Sequence, residues 1–171
     1  MAQALTGPYL IAALTLCVAG VAKLRAPSAA ARALRAARLP GDALAIRAVG
    51  AGELALGAAA AALATPATAA ALAAVYVAFS ALALVLHRRG AECGCFGDSG
   101  APASPMQSAI SALLAVVCVV TAATSMHGVS WVFGRSPSIA TILILGIGAA
   151  VYATVAAYSE LPSAWTAWGG R

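Results

Sequence analysis

Apolar residues in this chain arrive in long runs, broken by short stretches that hold most of the charges and prolines. A bilayer span takes about 20 predominantly apolar residues, and about five runs meet that measure. They lie at residues 8–22, 43–64, 67–86, 106–126 and 138–158. The pattern predicts an all-α fold, a polytopic transmembrane helical bundle. Composition agrees, because 63% of the 171 residues are hydrophobic and 9% are charged. A soluble domain runs about 45–50% apolar with roughly 25% charged residues.

The runs are rich in alanine, and small residues let membrane helices approach closely. Gly50, Gly52 and Gly57 in the second run and Gly146 and Gly148 in the fifth fit such interfaces. No cation precedes the first apolar run, so residues 8–22 read as a retained span rather than a cleaved signal peptide.

Charge sets the expected orientation. Lys23, Arg25, Arg32, Arg35, Arg38 and Arg47 fall between the first two runs or at their edges, and Arg88 and Arg89 follow the third. Arg171 ends the chain, and Arg135 alone falls on the other side of five alternating spans. Positive loops stay cytoplasmic. The expectation is a multi-pass protein of the inner or plasma membrane with its N-terminus outside and the loop after the third span inside.

Between Pro27 and Pro40, arginine recurs every third residue, and Ser28 stands where an N-cap would. This segment reads as a short basic helix lying on anionic membrane lipids, with an acidic protein partner as the alternative. Nucleic acid is not suggested, since the cations have no interleaved aromatics. Trp131, Phe133, Trp165 and Trp168 suit interfacial anchoring.

The chemistry concentrates in Cys93-Gly94-Cys95-Phe96-Gly97, two thiols one residue apart just after the third run. A pair this close can close into a small strained ring, and strained disulfides are the labile, exchanging ones. Arg88 and Arg89 favour thiolate, the reactive form, while Glu92 opposes them. Cys93 and Cys95 are therefore the candidate catalytic residues. Metal binding is the competing reading, but a tetrahedral site needs two more ligands. His87 is near, Met106 suits copper(I) alone, and His127 falls across the membrane. Cys17 and Cys118 lie inside spans, where a lone cysteine usually acts as a small hydrophobe. They are candidate secondary thiols if the first and fourth spans meet.

Glu53 sits inside the second run, where an ionised side chain costs several kcal/mol unless paired or neutralised. Lys23, at the inner end of the first run, is the matching counter-charge by depth. The two are candidate supporting residues, as a structural pair or as a proton relay for thiol chemistry.

Three blocks together resemble a known family. They are Gly20-Val-Ala-Lys23-Leu-Arg25-Ala-Pro27, Glu53-Leu54-Ala55-Leu56-Gly57 and the cysteine block, in that order. The chain is similar over residues 10–124 to the MauE/DoxX-like redox-associated membrane proteins, specifically the methylamine utilisation MauE branch. The resemblance implies a four-helix core that assists maturation of disulfide-rich exported proteins with a thioredoxin-like partner. In the methylamine system the client resembles the β-subunit of methylamine dehydrogenase. The implied division is a membrane domain over 1–126, then a connection, an extra helix and a short tail over 127–171. One departure is Met106-Gln107-Ser108, where the family tends to carry an Arg-Asn-like pair.

The leading expectation is a thiol-disulfide exchange protein acting between a thioredoxin-like protein and an exported disulfide-containing client. One rival is a non-catalytic membrane chaperone or scaffold. Another is a quinone-linked thiol oxidase, although the residues call for no cofactor and show no second reactive pair facing outside.

Overall fold

The computed structural model describes residues 2–94, 96, 103–124 and 128–169, the side chains of 2, 3 and 161–169 excepted. Seven helices follow one another among these residues: α1 (Ala2–Arg25), α2 (Pro27–Ala36), α3 (Ala43–Leu63), α4 (Pro66–Arg88), α5 (Pro105–Ala122), α6 (Val129–Phe133) and α7 (Pro137–Gly169). Five of them, α1, α3, α4, α5 and α7, are long and apolar enough to cross a membrane. The fold is an all-α polytopic bundle.

Proline marks the helix starts. Pro27, Pro66, Pro105 and Pro137 each open a helix, where the missing N–H removes a donor that has no intrahelical acceptor anyway. Asp42 caps α3 by accepting from the Ala45 amide at 2.7 Å. Thr65 and Thr68 form a reciprocal capping box on α4, and at the start of α5 the Gln107 side chain accepts from the Ser104 amide at 3.0 Å.

Three sequence expectations shift. Ser28 is not the N-cap of α2; Ala26 is, because Pro27 already fits the first helical position. The first span begins at Ala2 rather than Pro8, since a proline in the opening turns removes few helix hydrogen bonds. The last helix continues to Gly169, where a short tail was expected from the loss of apolarity alone.

Helix α1 packs on α3, and α4 on α5; α3 meets α4 more loosely. The central core joins all four, through Tyr9, Leu16, Ala60, Leu72, Tyr76 and Cys118 among others. Tyr76 of α4 donates to the Ala12 carbonyl of α1 at 2.7 Å, so its buried hydroxyl ties the two helix pairs together. Helix α7 lies outside this four-helix core, against α1 and α5.

Glycine decides how closely α1 and α3 cross. A Cβ on Gly20 would sit 2.5 Å from the Gly50 carbonyl oxygen, and one on Gly57 would sit 2.6 Å from both the Ala13 oxygen and Cys17 Sγ. Gly50 and Gly57 thus serve the predicted interface, joined by Gly20. Gly52, Gly146 and Gly148 face open space, so for them the interface reading fails.

Candidate functional site

The thiol segment begins at a well-formed helix end. Gly90 has φ of +63°, and the amides of Gly90 and Ala91 donate to the carbonyls of His87 and Leu86 at 3.1 and 3.0 Å. This is a Schellman stop for α4. The returning chain is stapled to the same place: the Ala103 amide donates to the Ala91 carbonyl at 2.8 Å, and His87 Nδ1 meets the Ala103 carbonyl at 2.8 Å. The excursion carrying the thiols therefore has a fixed base, and the His87 ring, a candidate metal ligand by sequence, is held by backbone.

Helix α2 provides its seat. Ala29, Ala30, Ala31 and Ala33 are buried, while Arg32 and Arg35 face out. Gly94 also has φ of +63°, and a Cβ there would lie 2.6 Å from the Ala29 carbonyl oxygen. Glycine is required at this position twice over, by conformation and by contact. Arg89 reaches back to the Ala36 carbonyl at 2.6 Å, and Arg32 lies 3.8 Å from Glu92. Cys93 is 6% exposed and packs with Ala33, Ala83, Leu86 and Ala103. Cys95 lies outside the described residues, as do His127 and Arg171.

The close crossing of α1 and α3 brings Lys23 and Glu53 together. Lys23 Nζ donates to Glu53 Oε2 at 2.8 Å, with the side chains 8% and 5% exposed. The counter-charge anticipated from depth is present. Lys23 also stands over the Phe79 ring, 5.1 Å from its centre, which holds the ammonium from the α4 side. Glu53 Oε1 is buried without a hydrogen-bond partner among the described residues.

These elements share one space. Lys23, Glu53, Phe79, Cys93 and Gly94 all line a cavity of about 260 Å³, otherwise walled by apolar side chains of α2, α3 and α4 and by Leu39 between α2 and α3. The three sequence blocks, separated by some 70 residues of chain, thus converge on a single site. Chemically it holds a thiol and an ion pair with one acceptor oxygen left open, set among apolar walls.

The secondary thiols lie elsewhere. Cys17 faces α3, its sulfur 3.8 Å from the Leu54 carbonyl, and Cys118 is buried in the central core. No disulfide joins them. Among the described residues no group of three or more His, Cys, Asp or Glu side chains is placed to hold a metal ion.

Sequence reasoning missed Phe79, which reads as one more apolar residue of a span. It also missed the polar lock between α5 and α7. Gln107 Nε2 donates to the Tyr158 carbonyl at 2.7 Å, and Ser111 and Tyr158 share a hydroxyl contact at 2.7 Å. The Phe96 ring packs on Tyr158 with centres 5.0 Å apart, so α7 touches the chain right after the thiols. The departure at Gln107 is where α7 is fastened.

No curated protein and no solved structure matches the chain. The family model described as methylamine utilisation protein MauE matches residues 1–126, a span that ends before α6 and α7. On that match over most of its length, the chain, a multi-pass membrane protein, belongs to the MauE family.

Proposed function

We propose that this protein exchanges disulfides through Cys93 and Cys95, passing equivalents between a thioredoxin-like protein and a disulfide-containing exported client. Family membership supports a place in methylamine utilisation, where the client would be the β-subunit of methylamine dehydrogenase. The observation that carries the thiol reading is the convergence of Cys93 with the Lys23–Glu53 pair in one cavity.

Exchange begins when a thiolate attacks a disulfide sulfur and a mixed disulfide forms. The attacking thiol must first lose a proton. Glu53 lines the same cavity as Cys93 and is the carboxylate suited to accept it, directly or through a water, while Lys23 balances its charge in the meantime. The second thiol resolves the mixed disulfide, leaving a Cys93–Cys95 disulfide and the partner's dithiol, or the reverse.

Orientation follows from charge. The end that carries the thiol segment also carries Lys23, Arg25, the arginines of α2, Arg47, Arg88 and Arg89, while Arg135 lies past α6 at the other end. On the positive-inside principle the thiol segment faces the cytoplasm and the N-terminus faces out. Cytosolic thioredoxin-like protein then meets this loop, and electrons leave across the membrane towards the exported client.

The test is client maturation in cells carrying Cys93→Ser, Cys95→Ser or both. Loss in the single variants supports exchange; full maturation with both thiols gone would end it. A scaffold reading is favoured by one observation, the outward basic face of α2 beside the thiol segment. It predicts that replacing Arg32, Arg35 and Arg38 harms maturation more than replacing the cysteines.

A further inference from the structure

The cavity at Cys93 is continued sideways. A second groove, about 320 Å³, runs between α3 and α4 and shares Val49, Glu53, Ala78 and Phe79 with it. Gly52 and Ala78 are exposed in the middle stretches of two membrane spans, so this groove opens on the bilayer rather than on water. Loose packing of α3 on α4 leaves the gap. Each space is at or just below the small end of ligand sites, about 300–1,000 Å³, so the two in series suit a slender body rather than a lipid with two chains.

Where the two spaces join stands an incomplete polar group. Glu53 lines both and is 5% exposed; Lys23 holds one of its oxygens, and the other has no hydrogen-bond partner among the described residues. A buried acceptor left open is costly. Lys23 for its part spends one donor on Glu53, and an ammonium carries three. The pair thus offers an open acceptor beside donors still to spare, with no net charge. That combination selects among head groups. A carboxylate or phosphate would meet Glu53, an alkylammonium would meet Lys23, and an ether, ester or ketone oxygen accepts without donating. A hydroxyl is neutral and does both.

We propose that the joined spaces bind a single-chain lipid alcohol from the bilayer, its hydroxyl on the Lys23–Glu53 pair and its chain in the groove between α3 and α4. The hydroxyl donates to Glu53 Oε1 and accepts from Lys23 Nζ, which completes the buried carboxylate and leaves the ion pair in place. The chain passes Phe79, Ala78 and Leu56 on its way to the bilayer and covers their apolar surface. Binding involves no bond made or broken at the thiols. It bears on them all the same, because Cys93 lines the inner space, where an occupant shields it.

The experiment titrates the full reduced chain in lipid nanodiscs with hexadecanol and, as its match without a donor, hexadecyl methyl ether. It reads the rate at which a lipid-soluble maleimide labels Cys93, assigned by mass spectrometry of the labelled peptide, and the probe retained by the protein in native mass spectrometry. Ala78→Trp plugs the wall shared by the two spaces, and Ala81→Trp, on the α5 side of the same helix, is the control. Expected are saturable binding of hexadecanol with protection of Cys93, and binding of the ether weaker by roughly tenfold, as for a lost hydrogen bond to a charged acceptor. Both effects of the alcohol should vanish in Ala78→Trp and persist in Ala81→Trp. Absence of saturable binding by the wild type overturns the site, and so does binding unchanged in Ala78→Trp. Equal binding of alcohol and ether overturns the role of the Lys23–Glu53 pair in choosing the head group. None of these readouts uses disulfide exchange, so the lipid site can fail while the exchange reading stands.

Discussion

Removing one member of the Lys23–Glu53 pair should harm the protein far more than removing both. The pair is buried on either side and closes at 2.8 Å, so each charge relies on the other. Deleting one partner of such a pair costs about 3–5 kcal/mol, because the survivor is left uncompensated, whereas replacing both by apolar residues is often neutral or better. Lys23→Met strands a carboxylate whose second oxygen is already without a partner. Glu53→Met strands an ammonium that still faces Phe79, a contact worth about 0.5–2 kcal/mol, so its cost should sit at the lower end. The double variant Lys23→Met/Glu53→Met should come back to within about 1 kcal/mol of the wild type, giving strong coupling in the cycle. Reversible unfolding in mixed micelles, followed by the fluorescence of the native tryptophans, measures all four proteins. Costs that simply add in the double variant would refute the reasoning, because they would mean the two charges do not sustain each other. If the pair also serves the thiol, the double variant will be stable yet slow in exchange.

Other consequences follow from single contacts. Gly94→Ala should unseat the thiol segment from α2, at about 1–2 kcal/mol for the left-handed backbone alone, and should raise the maleimide labelling rate of Cys93 as its burial is lost. Gly20→Leu should prise α1 from α3, and since Lys23 and Glu53 meet across that crossing, it should mimic the single charge deletions in stability and in function. Tyr158→Ala removes the ring against Phe96 and the hydroxyl on Ser111; altered exchange kinetics with an intact four-helix core, seen by circular dichroism, would show that α7 positions the thiol segment. A membrane-impermeant thiol reagent should label the reduced pair in inverted vesicles and not in intact cells, and the opposite pattern would reverse the orientation.

Much of the fold can be read from the chain because a bilayer admits few solutions. Long apolar runs become helices, and the prolines at 27, 66, 105 and 137 mark starts that hydrophobicity alone blurs. The ends were harder, since Pro8 does not stop α1 and the fading apolarity past residue 158 does not stop α7. At the site, Glu53 and Lys23 are legible because a charge inside a span demands a partner. Their neighbourhood with Cys93 is not: spacing along the chain says nothing of the crossing that Gly20 and Gly50 permit. The contacts of Phe79 and Gln107 are not legible for a similar reason. A phenylalanine is ordinary in a membrane helix, and a glutamine beside a helix start reads as a cap until its amide is seen to reach Tyr158.

The central claim is that Cys93 and Cys95 exchange disulfides with a partner protein. Its most direct test is to isolate the protein from cells carrying Cys95→Ser, where a mixed disulfide formed at Cys93 cannot be resolved, and to identify covalent adducts by non-reducing electrophoresis and mass spectrometry. The account predicts an adduct to a thioredoxin-like protein that disappears on reduction and never forms when Cys93→Ser is added. No adduct in the Cys95→Ser protein, together with full client maturation in cells that lack both thiols, would contradict it.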